Sequence, residues 1–232
     1  MNDRIIWDRL IKAIPNPYGV AGLMGNLQAE SGLNPQNMEN SYEKKLGFND
    51  STYTNAVNNG TYSNFCTDRC GYGLAQWTSQ GRKQNLYQFA KSKGKSIDDL
   101  EMQIDFLIQE LKTSYSLVYR TLVNAKSIQE ASDIVLTRFE IPADQSQKVK
   151  NYRASLGQVI FKNFASDIEK KIEYFPKYEE TITSVLNSMK IDSSYAYREK
   201  IARANGMSNY SGTREQNINM LDLIKQGKLI KP

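Results

Sequence analysis

Gly22-Leu23-Met24-Gly25-Asn26-Leu27-Gln28-Ala29-Glu30-Ser31-Gly32-Leu33-Asn34-Pro35 begins as a helix and stops abruptly. Leu23 and Leu27 fall on one stripe, at i and i+4. Gly32 suits a helix end, and Pro35 prevents easy continuation. Glu30 therefore stands in the last turn, where the helix dipole carries partial negative charge. A carboxyl placed there, beside apolar neighbours, tends to hold its proton, as a proton-donating acid must. A solvated glutamate near a helix end is the plainer alternative, and the local pattern alone leaves both open.

Forty residues on lies Cys70-Gly71-Tyr72-Gly73-Leu74-Ala75-Gln76-Trp77-Thr78. Gly71 and Gly73 permit close backbone approach or a positive φ. Tyr72, Gln76 and Trp77 are sugar-contacting types: an amide for hydroxyl and acetamido groups, and aromatic faces for ring C–H surfaces. On its own this motif identifies nothing.

Together the two stretches resemble the lysozyme-like domains of phage tails and endolysins, the phage tail lysozyme type. The resemblance rests on Gly25 to Pro35 and Gly71 to Thr78. Asn40-Ser41-Tyr42-Glu43, Leu46-Gly47-Phe48 and Phe139-Glu140-Ile141-Pro142-Ala143-Asp144 support it, and it covers residues 1–165. Glu30-Ser31 with Gly73-Leu74-Ala75-Gln76 is also similar to elements of goose-type lysozymes and lytic transglycosylases. The resemblance implies that Glu30 is a catalytic acid and that Tyr72, Gln76 and Trp77, with Ser31, line a glycan cleft.

Composition points the same way. The chain has 232 residues, 40% of them apolar, and no histidine. Without histidine there is no Ser–His or Cys–His nucleophile pair, and the usual ligands of a catalytic zinc are missing. Carboxylates are then the natural acid–base groups, and glycoside hydrolysis is the main chemistry that runs on them alone. No cofactor or metal is expected. The net charge of +5 and pI of 9.0 favour polyanionic surroundings. Cys66 and Cys70, with three residues between them, are read as either a local disulfide or two thiols. The amino-terminal stretch carries charges throughout and does not read as a signal peptide, and no apolar run reaches a membrane span. An endolysin of this kind is expected to wait in the host cytoplasm until a holin opens the membrane, and then to act at the cell wall.

The remaining chain reads as mainly α, lysozyme-like α+β with one small β-element. Asn2 to Ile14 is an amphipathic helix with Ile5, Ile6, Leu10 and Ile14 as its stripe. Asn34 to Arg69, rich in Asn, Ser, Thr and Tyr, is expected to be the cleft wall with a short ribbon, turned at Asn59-Gly60. Helices follow at Gly81 to Lys93, up to Lys112, and at Tyr115 to Asn124. Ser96-Ile97-Asp98-Asp99 and Ser127-Ile128-Gln129-Glu130 read as capping boxes. Ala131 to Phe139 is helical and Pro142 breaks it. Ser146 to Phe164 is the last long helix, with Val149, Tyr152, Leu156, Val159 and Ile160 as its apolar face. Glu140 and Asp144 read as a helix end and a cap.

A linker is placed at 166–176 and a small three-helix domain at 177–232. The tail resembles a module appended to clostridial wall amidases and endolysins, from Lys200-Ile201-Ala202-Arg203-Ala204-Asn205-Gly206 through Asn209-Tyr210-Ser211-Gly212-Thr213 to Leu221-Asp222-Leu223-Ile224-Lys225-Gln226-Gly227-Lys228-Leu229. The resemblance implies wall binding. Lys200, Arg203, Tyr210, Arg214 and Lys225 are candidates, each equally readable as solvated surface. No helix gathers basic and base-reading residues as a nucleic-acid binder would. Expected partners are peptidoglycan glycan strands and anionic wall polymers, with no nucleic acid.

Hydrolysis needs a second carboxylate, about 5 Å from the acid as nucleophile or about 6.5–9.5 Å away as base. Asp50, then Asp68 and Glu43, are the sequence candidates, with Glu39 beside them. Without one, Glu30 acting alone would let the muramic 6-hydroxyl attack, giving a 1,6-anhydro product. A non-catalytic wall-binding or tail protein is the remaining class.

Overall fold

The structure, a computed structural model, describes residues 2–165 and 181–232. It is mainly helical and divides into two compact units, Met1–Ala165 and Ser166–Pro232. The expected linker at 166–176 lies outside the described residues. In the first unit the order is α1 (Asn2–Ala13), α2 (Pro17–Ser31), α3 (Asn40–Leu46), α4 (Asp50–Asn58), α5 (Gln80–Ser92), α6 (Leu100–Thr113), α7 (Ser116–Asn124) and α8 (Ile128–Val135). A π turn (Leu136–Glu140) and α9 (Gln147–Phe164) complete it. Among the described residues no helix is long and apolar enough to cross a membrane.

Helix α2 is the axis of this unit, buried on all sides from Gly19 to Leu27. Asn16 starts it by accepting the Tyr18 N–H at 3.0 Å, with Pro17 at the first helical position. Gly32, at φ 64°, ends it with its N–H on the Gln28 carbonyl. Three glycines form a groove along it. A Cβ on Gly19 would lie 2.1 Å from the Leu122 carbonyl oxygen. One on Gly22 would lie 2.5 Å from the Ala131 Cβ, and one on Gly25 2.5 Å from the Arg153 oxygen. The spacing of three lets α7, α8 and α9 each rest against the α2 backbone.

Close approach explains why α9 departs from its expected face. Tyr152 and Val159 are both 58% exposed, and the buried side holds Arg153, Ala154, Gly157 and Ile160. Small residues and one arginine occupy the contact because the backbones meet there. In α1 the buried stripe is Ile6, Trp7 and Leu10, continued by Ile14, while Ile5 faces outward.

The ribbon expected within 34–69 is replaced by α3 and α4. Asn59-Gly60 closes α4 instead of a hairpin: the Asn59 N–H bonds the Asn55 carbonyl, and Gly60 takes φ 81°. Tyr53, Thr54 and Val57 turn inward from α4. Among the described residues β pairing is limited to the isolated bridges Met38–Tyr72 and Tyr72–Trp77. They fold Gly71 to Trp77 into a tight antiparallel loop beside residues 37–39. Buried Gln103 holds this loop, accepting from the Leu74 N–H and donating to the Pro35 and Ile97 carbonyls. Gly73, at φ 75°, is the one residue that fits over it, since a Cβ would lie 2.7 Å from Gln103 Oε1.

Helix starts follow side-chain chemistry. Asp99, rather than Ser96, caps α6 by accepting the Met102 N–H. Ser127 caps α8, while Glu130 returns to the Lys126 N–H rather than to Ser127. Beyond Val135 the expected helix widens into the π turn, which ends at Ile141 with φ 49°.

In the second unit α10 (Ile182–Ser188), α11 (Tyr195–Ala204) and α12 (Arg214–Lys225) surround Val185, Leu186, Ile201, Met220 and Ile224. Thr213 and Gln216 form a reciprocal capping box on α12.

Candidate functional site

Two adjoining pockets, of about 470 and 480 Å³, share Glu30, Glu39 and Gln76. They form one open cleft across the end of α2. One arm runs over Ser31, Asn37, Asn40 and Ser41. The other runs over Thr78, Ser79, Arg82, Tyr115 and the segment Phe139 to Pro142. Polar groups dominate the first arm, and the second mixes them evenly with the apolar surfaces of Tyr115, Phe139, Ile141 and Pro142, a combination that suits the hydroxyls and C–H faces of a sugar.

Glu30 lies where the arms meet. Its position is set by a chain of contacts across three helices. Asn26, buried one turn earlier on α2, donates to the Ser132 carbonyl of α8 at 3.2 Å and to the Ser132 hydroxyl at 3.1 Å. Its Oδ1 accepts from Arg153 of α9 at 3.2 Å. Arg153 Nη2 then meets Glu30 Oε1 at 2.6 Å. A buried guanidinium fixed at two points leaves the carboxyl group one direction to face, the cleft.

Glu140 is a further carboxyl group of the cleft, beside Glu30 and Glu39. It comes from the π turn, a distortion frequent at functional positions. Its Oε1 is buried and has no hydrogen-bond partner. Burial, and next the charge of Glu30, push this carboxyl up to about 8, against the opposing pull of Arg82 and Arg153. Arg82 itself is held by a bidentate contact to Glu110, both bonds 3.0 Å, and lies over the Phe139 ring at 4.5 Å.

A stability consequence follows. The native protein holds a proton on Glu140 between the ordinary value of 4.5 and about 8, and the unfolded chain has lost it there. Native stability attributable to this group therefore falls as pH rises through that window. Glu140→Gln removes the dependence. Its denaturant midpoint is expected to match wild type near pH 4.5 and to exceed it at pH 8. A midpoint difference that is the same at both pH values would contradict this.

The sequence candidates are placed as follows. Glu30 and Gln76 line the cleft, while Ser31 borders it with its hydroxyl turned inward, donating to the Leu27 and Leu74 carbonyls. Tyr72 and Trp77 do not line it. Both are fully buried beneath the loop: Tyr72 bonds the Thr54 hydroxyl at 2.6 Å, and the Trp77 indole donates to Glu110 at 2.7 Å. They form the floor that carries Gln76. Asp50 sits in the first turn of α4, where it accepts from the Met38 N–H and the Asn34 amide. Asp68 is buried against Lys83. Neither of these two aspartates lines the cleft, nor does Glu43 on α3. Glu39 does line it, with one oxygen on the Gly71 N–H and the other on the Ser41 hydroxyl. Cys66 and Cys70 are free thiols, and burial pushes Cys70 up to about 11. In the second unit Lys200, Arg203 and Arg214 are exposed and Lys225 half-buried. Tyr210 is core: its hydroxyl accepts from Arg198 and donates to Asn217.

The cleft residue missed in the sequence is Arg82, together with Arg153 beneath it, while Glu140 is singled out there but reads as a helix end. Arg153, Gly157 and Ile160 do fall at helical spacing, but an arginine and a glycine carry no hydrophobic signal.

A helical unit that opens a polar cleft over a glutamate at the end of its buried central helix is of the lysozyme-like class. The family model described as phage tail lysozyme matches residues 1–164, and the chain belongs to that family. Over 46 residues it is 46% identical to an endolysin of Listeria phage A511, covering 20% of this chain and 14% of that protein. Over 161 residues it is 28% identical to the L-alanyl-D-glutamate peptidase of Listeria phage A118, covering 65% of this chain and 55% of that protein. The chain thus spans about half the length, or less, of these curated relatives.

Proposed function

We propose that the protein is a phage endolysin that cleaves the β-1,4 bond following N-acetylmuramic acid in peptidoglycan, with Glu30 as general acid. The observation that carries this reading is the position of Glu30: it and Glu39 are the carboxyl groups common to both arms of the cleft, and both Glu39 oxygens are engaged by the Gly71 N–H and the Ser41 hydroxyl, so a glycan laid along the cleft passes over Glu30 as the available acid. Family membership supports a wall substrate, and the absence of histidine supports carboxylate chemistry. The same geometry serves a lytic transglycosylase, in which the muramic 6-hydroxyl replaces water. The relative named as a peptidase raises a third outcome, cleavage of the peptide stem.

Digestion of purified Gram-positive peptidoglycan, clostridial for preference, separates these by mass spectrometry. Wild type is expected to give reducing-end muramic acid, and Glu30→Gln to lose on the order of 10²–10⁴ of the rate. Anhydro-muramic ends would move the assignment to a transglycosylase. New amino-terminal D-glutamate would move it to a peptidase. Equal rates from both proteins would remove Glu30 from the chemistry.

The second unit is proposed to hold the enzyme on anionic wall polymers through Lys200, Arg203, Arg214 and Lys225, without Tyr210. As an endolysin it would reach the wall after a holin opens the host membrane.

A further inference from the structure

Resting on the glycosidase reading, we infer that Glu140 is the second carboxyl group of the reaction, supplying the proton that Glu30 passes to the leaving group and taking the proton of the attacking oxygen. Three observations carry this. Glu30 and Glu140 line the same arm of the cleft. Glu140 Oε1 is buried without a partner, a destabilising state that a purely structural glutamate would have no reason to keep. And the backbone that presents it is strained: a π turn ends on Ile141, a β-branched residue at φ 49° whose side chain is 60% exposed and so recovers little by packing.

The charges around Glu140 come from every neighbouring element. Glu30 faces it from α2, Arg153 from α9, Arg82 from α5 and Glu110 from α6. Glu39 and Tyr115 complete the cleft wall. Burial, and next the charge of Glu30, favour the neutral form of Glu140, so the cleft keeps that proton until the pH passes the Glu140 ionisation. Burial places that proton on Glu140 in the free enzyme.

The proton balance closes. The pair's proton moves to Glu30 and from there to the leaving glycosidic oxygen, which keeps the electron pair of the broken C1–O bond. Both carboxylates are then ionised. Water bonds to C1, and Glu140 takes its proton. That proton again belongs to the pair, which is restored with one water consumed. If the muramic 6-hydroxyl attacks instead, Glu140 takes the hydroxyl proton in the same way. The role of Glu140 is therefore the same for hydrolysis and transglycosylation.

The test is kcat and kcat/KM from pH 4 to 10 for the full-length wild type, Glu30→Gln, Glu140→Gln and Glu140→Asp on purified peptidoglycan, with products read by mass spectrometry. Wild type is expected to lose activity on an alkaline limb near pH 8. Glu140→Gln is expected to lower kcat on the order of 10²–10⁴-fold and to lack that limb. Glu140→Asp is expected to recover part of kcat and a limb. Thermal unfolding keeps the result interpretable, since Glu140→Gln is expected to be no less stable than wild type. Glu140→Gln with wild-type kcat and an unchanged limb overturns the inference. So does a loss of activity that comes with unfolding and leaves the limb in place. If Glu30→Gln is inactive while Glu140→Gln is unaffected, the glycosidase reading stands and only this inference fails. If wild type yields no glycan ends, both fail.

Discussion

Replacing Lys83 with Met is expected to destabilise the first unit by about 3–5 kcal/mol, read from its denaturant midpoint at pH 7. Lys83 is fully buried, which lowers its proton affinity, and its three ammonium hydrogens are all placed. They go to Asp68 at 2.5 Å, the Cys70 carbonyl at 2.7 Å and the Tyr53 hydroxyl at 3.0 Å. Asp68 also accepts from the hydroxyls of Tyr53 and Tyr62 and from the Cys70 N–H. Met fills most of the volume but leaves a buried carboxylate without its cation. An exposed pair would be worth at most about 1 kcal/mol. A loss of that size would show that water reaches Asp68 and that burial of the network is incomplete.

Gly25→Ala sets two effects against each other. In an exposed helix the exchange stabilises by about 1 kcal/mol. Here the new methyl would lie 2.5 Å from the Arg153 oxygen and 2.6 Å from the Gly157 nitrogen. Both are backbone atoms, so α9 must move as a whole. Overpacking of this kind costs about 1–3 kcal/mol, and more when no side chain can swing away. A net loss of about 2 kcal/mol is expected. Moving α9 also draws Arg153 from Glu30, and displacements of about 1 Å at a reacting group cost up to 10²-fold in rate. Gly81→Ala is the control. Nothing lies within 4 Å of its Cβ position, and its midpoint is expected to stay or rise. Equal behaviour of the two variants in unfolding and glycan release would refute the close-contact account.

Much of the helical frame was legible because its signals are local. The end of α2 at Gly32 and the cap at Ser127 are each written in a few adjacent residues, whereas α9 is capped by Ser146 and not by the expected Asp144, which instead accepts from the Ser146 N–H. Asn59-Gly60 misled because a positive φ serves a helix end as readily as a hairpin. Tyr53 and Val57, four apart, held the helical alternative. Tyr72 and Trp77 misled through residue type: their polar tips were satisfied internally, so the rings became floor rather than wall. The site failed in a different way. Arg82, Glu140 and Arg153 come from three distant segments, and only packing at the α2 glycines and the π turn gathers them at Glu30. No local pattern encodes that meeting.

The chain has two tryptophans, Trp7 and Trp77, and both are buried in the first unit. Their fluorescence is therefore a private reporter of that unit. A red shift of the emission marks loss of the cleft's own scaffold, whatever happens beyond residue 165. Circular dichroism, by contrast, records helix in both units. Following one denaturation by the two signals at once assigns each transition to its unit without cutting the chain. Trp77 adds a finer gauge, because its indole is bonded to Glu110 and, through it, to Arg82 of the cleft. A glycan that disturbs Arg82 would register in the emission of a residue it never touches.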